Sequence, residues 1–345
     1  MRSSQWLVWS GFAMLALLLY GMTLGAPVVG DDVRFVADNA SLDLPLPLFL
    51  KDLFSLSYFQ YTREATYQPL VTLLHWFTHS RPWLYRLLGI LAHALNAYLL
   101  FRLGQRLSFR VGLAAGVLFL LFPAHTEALN ISAFKGHVLG FACVLGCLLC
   151  WLDWLEQKSG CRQALAECCG LFVLGLLCKE TTLVALGLMV VYGWGGKLRP
   201  QMRGLAWLGC AAVAYVWFRF FLLVPPAAAE YVPRSMPHAP TILGWCLKML
   251  VFPFPLCRER VLADSVWWGL AVVPYLGALW LARKDGVLRF GLLWMGVAAL
   301  PFLRLAPDVA RNPVADRYLY LMAGGFCLVL ARLAAENQWR RWLFV

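Results

Sequence analysis

Residues 6–26 read WLVWSGFAMLALLLYGMTLGA, a run without one charged side chain, preceded only by the cation Arg2. An α-helix rises 1.5 Å per residue, so about 20 apolar residues cross the roughly 30 Å hydrocarbon core of a bilayer. The run is too long for the apolar segment of a secretory signal, and more runs follow it. It therefore reads as a first transmembrane helix and not as a cleaved leader. Comparable stretches recur at about 84–101, 111–123, 137–155, 163–178, 181–195, 204–224, 266–282, 287–303 and 318–333. Of the 345 residues, 61 % are hydrophobic and 14 % charged, where soluble domains carry roughly 45–50 % and about 25 %. Mean hydropathy is +0.68. A soluble globular chain is excluded. The expected fold class is an all-α polytopic membrane protein, a single domain over 1–345 with about ten transmembrane helices.

The charge balance describes topology. An excess of 30 Lys and Arg over 18 Asp and Glu would suit nucleic acid in a soluble chain, but beside membrane spans it marks cytoplasmic loops. The clusters Arg102/Arg106/Arg110, Lys158/Arg162, Lys197/Arg199/Arg203, Arg283/Lys284/Arg289 and Arg332/Arg340/Arg341 are all placed inside, as is Arg2. Residues 241–256 form a shorter apolar stretch ending in Phe252-Pro253-Phe254-Pro255. If it crossed, the last two clusters would fall outside, so it is read as re-entrant or interfacial. Both termini are then cytoplasmic. Only Asp153, Glu156, Glu167, Asp285 and Glu336 share the inside, and the remaining acids face outward. The first outward loop, 27–83, is the longest polar region and holds Asp31, Asp32, Asp38, Asp43, Asp52 and Glu64. Its middle, Leu48–Tyr58, alternates Leu and Phe with few charges, as a helix lying in the bilayer interface does. The 11 cysteines show no zinc or disulfide spacing; Cys143, Cys147 and Cys150 share a helical face and read as packing residues.

Five polar features collect on the outward side. Asp31 and Asp32 follow the first helix, and adjacent carboxylates there serve as general base, metal ligands or helix cap. A partly dehydrated carboxylate has a raised pKa and takes a proton from an attacking alcohol; as a cap it would accept from backbone N–H groups. Phe122-Pro123-Ala124-His125-Thr126-Glu127, with Lys135 and His137 beyond, is a connection rich in titratable groups, or a solvated turn. Lys179-Glu180 stands between two apolar helices with almost no loop. Charges at a helix centre cost about 2.5–3.5 kcal/mol each on insertion scales, so these two are functional or they pair and snorkel. Arg219 lies in the aromatic run Trp217-Phe218-Arg219-Phe220-Phe221, as a functional group or a headgroup anchor. The loop Arg304–Arg317 leads into Asp316-Arg317-Tyr318-Leu319-Tyr320. A guanidinium backed by tyrosines suits a lipid-linked phosphate, or serves as an anchor in an aromatic belt.

Read in order, these residues resemble a known family. After Asp31-Asp32 come Tyr67-Gln68-Pro69-Leu70, Tyr85-Arg86-Leu87 through His93-Ala94-Leu95-Asn96, and His125-Thr126-Glu127-Ala128. Then follow Lys179-Glu180-Thr181, Leu250–Pro253, Phe290-Gly291-Leu292-Leu293-Trp294 and Asp316-Arg317-Tyr318-Leu319-Tyr320. The layout resembles the C-type (GT-C) glycosyltransferases, polytopic enzymes using polyprenyl-phosphate-linked sugars. Within them it is most similar to the membrane part of the O-mannosyltransferase-like proteins that carry TPR repeats. Where the family pattern has other residues, this chain has Gln68, Arg86, Gly89, Lys135 and His137. No TPR repeat or other soluble C-terminal domain is expected within 1–345.

The resemblance implies transfer of a sugar from a polyprenyl-phosphate donor to an acceptor hydroxyl of a glycan, lipid or protein. Asp32, or Asp31, would be the general base, with inversion at the anomeric carbon. Glu127 and His125 would position acceptor or base. Arg317 first, then Lys179, Lys135 and Arg219, would bind the donor phosphate, with Glu180, His137, Tyr67, His93 and Tyr320 in support. No cofactor or metal is expected, although paired acids can hold Mg²⁺ or Mn²⁺. Membrane lipids are the surrounding partner, and nucleic acid is not a partner. Leu- and Arg-rich, Lys-poor usage places the chain in a bacterial inner membrane, with its active site facing the periplasm. The alternative is a flippase or transporter for a lipid-linked sugar, although the inverted repeats usual in transporters are not visible. An inactive structural partner and a polymerase or ligase of lipid-linked glycans are further readings.

Overall fold

The computed structural model describes residues 3–62, 66–156, 161–193, 198–223, 239–256, 266–304 and 315–335. Of the cations that set the expected orientation, Arg2, Lys158, Lys197, Arg340 and Arg341 lie outside the described residues. So do Glu64, Glu336 and residues 305–314 of the last outward loop. In chain order the helices are α1 Ser3–Tyr20, α2 Leu46–Leu53, α3 Ser57–Thr62, α4 Pro69–Thr78, α5 Pro82–Gln105, α6 Phe109–Leu121, α7 Thr126–Asn130 and α8 Lys135–Leu155. They continue with α9 Cys161–Cys178, α10 Val184–Gly193, α11 Leu198–Trp217, α12 Ala239–Val251, α13 Val272–Leu281, α14 Gly286–Arg304 and α15 Leu319–Ala335. Every regular element among the described residues is helical.

Their ends follow local chemistry. Pro69 and Pro82 open α4 and α5, where a missing N–H costs nothing. The Ser108 hydroxyl accepts from the Val111 N–H at 3.1 Å at the start of α6. Asp285 accepts from Val287 and Leu288 N–H at 2.9 and 3.0 Å and caps α14, satisfying donors that a helix start leaves unpaired.

Among the described residues, six helical segments are long and apolar enough to cross a membrane: Gln5–Gly25, Pro82–Gln105, Ser132–Leu155, Gln201–Leu222, Gly286–Leu303 and Asp316–Ala335. A seventh is added if Phe109–Leu121 and Pro123–Asn130, bent by 53°, count together. The all-α polytopic class expected from composition stands, but this count is below the expected ten. The cause is local. The expected span at 181–195 begins with the 3-10 turn Glu180–Leu183, and only a short apolar helix, Glu180–Gly193, results. That at 266–282 is divided between a 3-10 helix, Val266–Ala271, and α13. Pro123 breaks the third, because proline lacks an N–H and its ring crowds the preceding turn. The stretch at 163–178 is helical as α9. The doubtful 241–256 segment becomes α12, 13 residues long, too short to cross the core.

The chain divides into two compact units. The first comprises Met1–Leu95, Ala128–Leu186 and Lys197–Tyr231. Its long loop has a small core of its own, where Leu42, Phe49, Leu53, Tyr58, Phe59 and Tyr67 are buried with Leu223. On α2, Phe49 and Leu53 point into that core while Leu46, Leu48 and Leu50 stay exposed, an apolar face suited to a bilayer surface. Small residues let α8 and α9 approach: a Cβ on Gly146 would lie 3.0 Å from Leu171, and one on Gly175 would lie 2.8 Å from the Cys143 side chain.

The second unit comprises Asn96–Glu127, Gly187–Gly196 and Val232–Val345. Here α14 and α15 cross at Gly291 and Gly325. A Cβ on Gly325 would lie 2.6 Å from the Gly291 carbonyl oxygen and 2.9 Å from the Trp294 side chain. The Trp294 indole donates to the Leu321 carbonyl at 2.9 Å, and Arg332 pairs with Asp285 at 3.2 Å. Close crossings of this kind rely on small residues, since lipid supplies no hydrophobic drive between helices. Gly325→Ala is therefore expected to cost about 1–3 kcal/mol and to lower the unfolding temperature in detergent. Gly209→Ala on α11, where an added Cβ would meet no atom of the described residues beyond its own helix within 4 Å, should be neutral or gain up to ~1 kcal/mol. Equal effects of the two would contradict the crossing described.

Candidate functional site

The first unit holds the acidic pair. Asp31 is half-buried, whereas Asp32 is only 2 % exposed. Asp32 stands at the N-cap of the short π-helical turn Val33–Ala37, yet its side chain makes no capping bond. Its Oδ1 instead accepts the backbone N–H of Ala133 at 2.8 Å, so the cap reading of this acid is not realised. A carboxylate taken this far out of water needs such a donor, because burial of an unpaired charge is prohibitive.

Around Asp32 the unit gathers cations. Lys135, at the start of α8, is 1 % exposed, and its Nζ donates to the carbonyls of Ala128, at 3.4 Å, and Leu129. It lies 5.9 Å from the ring centre of Tyr85. The space it occupies exists because residue 89 is glycine: a Cβ there would collide with the Lys135 side chain. Arg86, 3 % exposed, donates to the carbonyls of Leu24, Ala26 and Pro27. Lys135 feels the charges of both Asp32 and Arg86. His75 is buried with its ring centre 4.4 Å from that of Tyr85. Burial first, then the charge of Lys135, pushes its pKa down to about 3 against an opposing hydrogen bond to Ser132, so its imidazole is neutral. Among the described residues its Nε2 has no hydrogen-bond partner.

Sequence reading missed His75, Arg86 and the Ala133 amide. His75 shares the buried helical spacing of Val71, Thr72 and Thr78 on α4, and Arg86 is an arginine near the start of a span; both signals were legible. A backbone amide carries none.

Elsewhere in this unit, Lys179 is half-buried at the N-cap position of the Glu180–Leu183 turn. Glu180 is tied to Arg219, Nε to Oε1 at 3.1 Å. Arg219 is buried, donates to the Leu223 carbonyl at 2.7 Å and lies 4.9 Å from the Phe59 ring. Glu180 is thus paired with Arg219. Tyr67 donates to the Leu53 carbonyl at 3.1 Å, and burial raises its phenol well above the ordinary range. His93 is buried edge-on to Tyr20, and His137 is buried on α8.

The second unit joins Glu127 and Arg317. The Arg317 backbone N–H donates to Glu127 Oε2 at 2.8 Å and its guanidinium to Oε1 at 2.6 Å, while the guanidinium lies 5.0 Å from the Tyr318 ring. His125 is fully buried among Phe119, Phe122 and Tyr320, at centroid distances of 4.4, 5.3 and 4.5 Å. The Tyr320 hydroxyl accepts from Asn96 at 3.0 Å. Among the described residues no three His, Cys, Asp or Glu side chains are grouped to hold a metal ion.

Fold and site together define an all-α polytopic membrane protein with a buried, amide-held carboxylate beside its first span. The chain is similar over most of its length to curated protein O-mannosyl-transferases. It is 28 % identical to Tmtc2 of Drosophila melanogaster over 82 % of this chain and 33 % of that protein. For Tmtc1 of the same organism the figures are 26 %, 83 % and 38 %, and for F38B6.6 of Caenorhabditis elegans 23 %, 92 % and 50 %. The resemblance read from the motifs is thereby borne out. The chain spans a third to a half of the length of these relatives. No protein-family model and no solved structure matches it.

The neutral His75 gives a checkable pH dependence. Its folded pKa lies below the unfolded value of 6.5, so the unfolded state binds the extra proton. Stability from this site is complete above pH 6.5 and falls as pH drops towards 3. Between pH 7 and 4.5 the unfolding temperature of the wild type should fall further than that of His75→Asn. Parallel decreases would contradict the assignment.

Proposed function

We propose that this chain is a membrane glycosyltransferase that moves a sugar from a polyprenyl-phosphate donor to an acceptor hydroxyl on the non-cytoplasmic side. The observation that carries the reading is Asp32, a buried carboxylate fixed by the Ala133 amide, in a chain similar to named O-mannosyl-transferases. Asp32 takes the acceptor's proton as its oxygen attacks the anomeric carbon. The bond from that carbon to the phosphate oxygen breaks, polyprenyl phosphate leaves, and the configuration inverts. A positioned base contributes typically 10²–10⁴-fold. Asp31, more exposed, is the second choice.

The leaving phosphate needs cations placed in advance. Of the cations named from the sequence, Lys179 lies in the same unit as Asp32, while Arg317, in the second unit, has its guanidinium oriented by Glu127. Lys135 and Arg219 are enclosed by carbonyl and carboxylate partners, which suits them to holding the site rather than meeting the donor. Mannose and a protein hydroxyl are the sugar and acceptor suggested by the relatives' names. We propose metal-free transfer; if an ion were used, Asp31 and Asp32 would supply its oxygen ligands. The periplasmic face of a bacterial inner membrane is the compartment supported by residue usage, while the reported relatives are animal proteins.

The test uses protein in nanodiscs with radiolabelled polyprenyl-phosphate sugars and added acceptors. Wild type should release label from one donor, chelator should not slow it, and Asp32→Asn should lower the rate at least about 10²-fold. Equal rates in wild type and variant would remove Asp32 as the base. Label that changes leaflet without leaving its lipid would make the protein a transporter.

A further inference from the structure

Near the start of α5, two adjacent side chains hold the two segments that meet at Asp32. The Tyr85 hydroxyl donates to the Ser132 carbonyl at 2.9 Å, fixing the residue next to the Ala133 amide. The Arg86 guanidinium donates to the carbonyls of Leu24 (3.4 Å), Ala26 and Pro27 (2.9 Å) where the first span ends. Only Val28, Val29, Gly30 and Asp31 separate Pro27 from Asp32. They are folded tightly: Gly30 has φ 62°, and the N–H groups of Asp32 and Val33 donate to the Val29 and Gly30 carbonyls at 3.3 and 3.2 Å. A left-handed φ is open to glycine without strain. With so little slack, a shift of the Arg86 anchor is passed on to the carboxylate.

We propose that Arg86, together with Tyr85, is the positioning residue of Asp32. The guanidinium fixes the segment bearing the acid, and the phenol fixes the segment bearing its amide partner. The proposal rests on Asp32 being the general base. Residue type matters at 86, because one planar fork spans carbonyls of residues 24, 26 and 27. A lysine ammonium is a single point on a flexible stem and cannot hold all three. Placement of a catalytic group within a fraction of an ångström governs rate, and about 1 Å of displacement can cost 10²-fold.

The experiment compares Arg86→Gln, Arg86→Lys and Tyr85→Phe with wild type in nanodiscs, with Asp32→Ala as reference. Hydrogen exchange at the Ala133 amide reads the bracket without any substrate. In Arg86→Gln that amide should exchange as in Asp32→Ala, while amides of α14 and α15 keep wild-type rates. Donor turnover should show kcat lowered about 10²-fold with KM for the donor little changed, the mark of a lost transition-state placement. Arg86→Lys should fail to restore either value, and Tyr85→Phe should lose about tenfold. Wild-type protection of Ala133 in Arg86→Gln, or unchanged kcat, overturns the proposal. If Arg86→Gln exchanges everywhere and so does not fold, Tyr85→Phe decides by the same two readouts. If wild type consumes no donor, the transferase reading falls, and Ala133 exchange alone decides the bracket.

Discussion

A carboxylate at residue 32 and a backbone N–H 101 residues later along the chain meet in a place that water hardly reaches. Taking an ionised group out of water is affordable only with hydrogen-bond and charge partners, and the first unit supplies them from several segments. Ala133 gives the amide, Lys135 contributes positive charge, and Gly89 leaves room for the lysine. The Pro27–Asp32 turn and the placement of Ser132–Phe134 belong to the same arrangement.

The second constraint is compensation of charge. Arg219 has Glu180, Arg317 has Glu127 and Arg332 has Asp285. Removing one partner would leave the other charge partly out of water and unpaired. The same pairs hold the guanidinium groups in fixed directions.

The spans were legible because an apolar run near twenty residues is a composition signal that survives any detail of packing. Their interruptions were not. The turn Val266–Ala271 is as apolar as the helix that follows it, and hydropathy does not separate a 3-10 turn from an α turn. Asp31-Asp32, Glu127 and Arg317 stood out as charged residues beside apolar segments. That Glu127 and Arg317 belong together, 190 residues apart, is encoded by no spacing. Lys135 stood out by its charge, but the room it occupies depends on Gly89, which lies on another helix.

The central claim is that donor chemistry takes place at the Asp32 end of the first unit. It is tested most directly with a photoreactive polyprenyl-phosphate sugar, cross-linked in nanodiscs and mapped by mass spectrometry. Adducts in residues 27–62 and 128–137, lost on addition of unmodified donor, are the predicted result. Adducts confined to 105–110 and 282–289, the loops assigned to the cytoplasm, would contradict it.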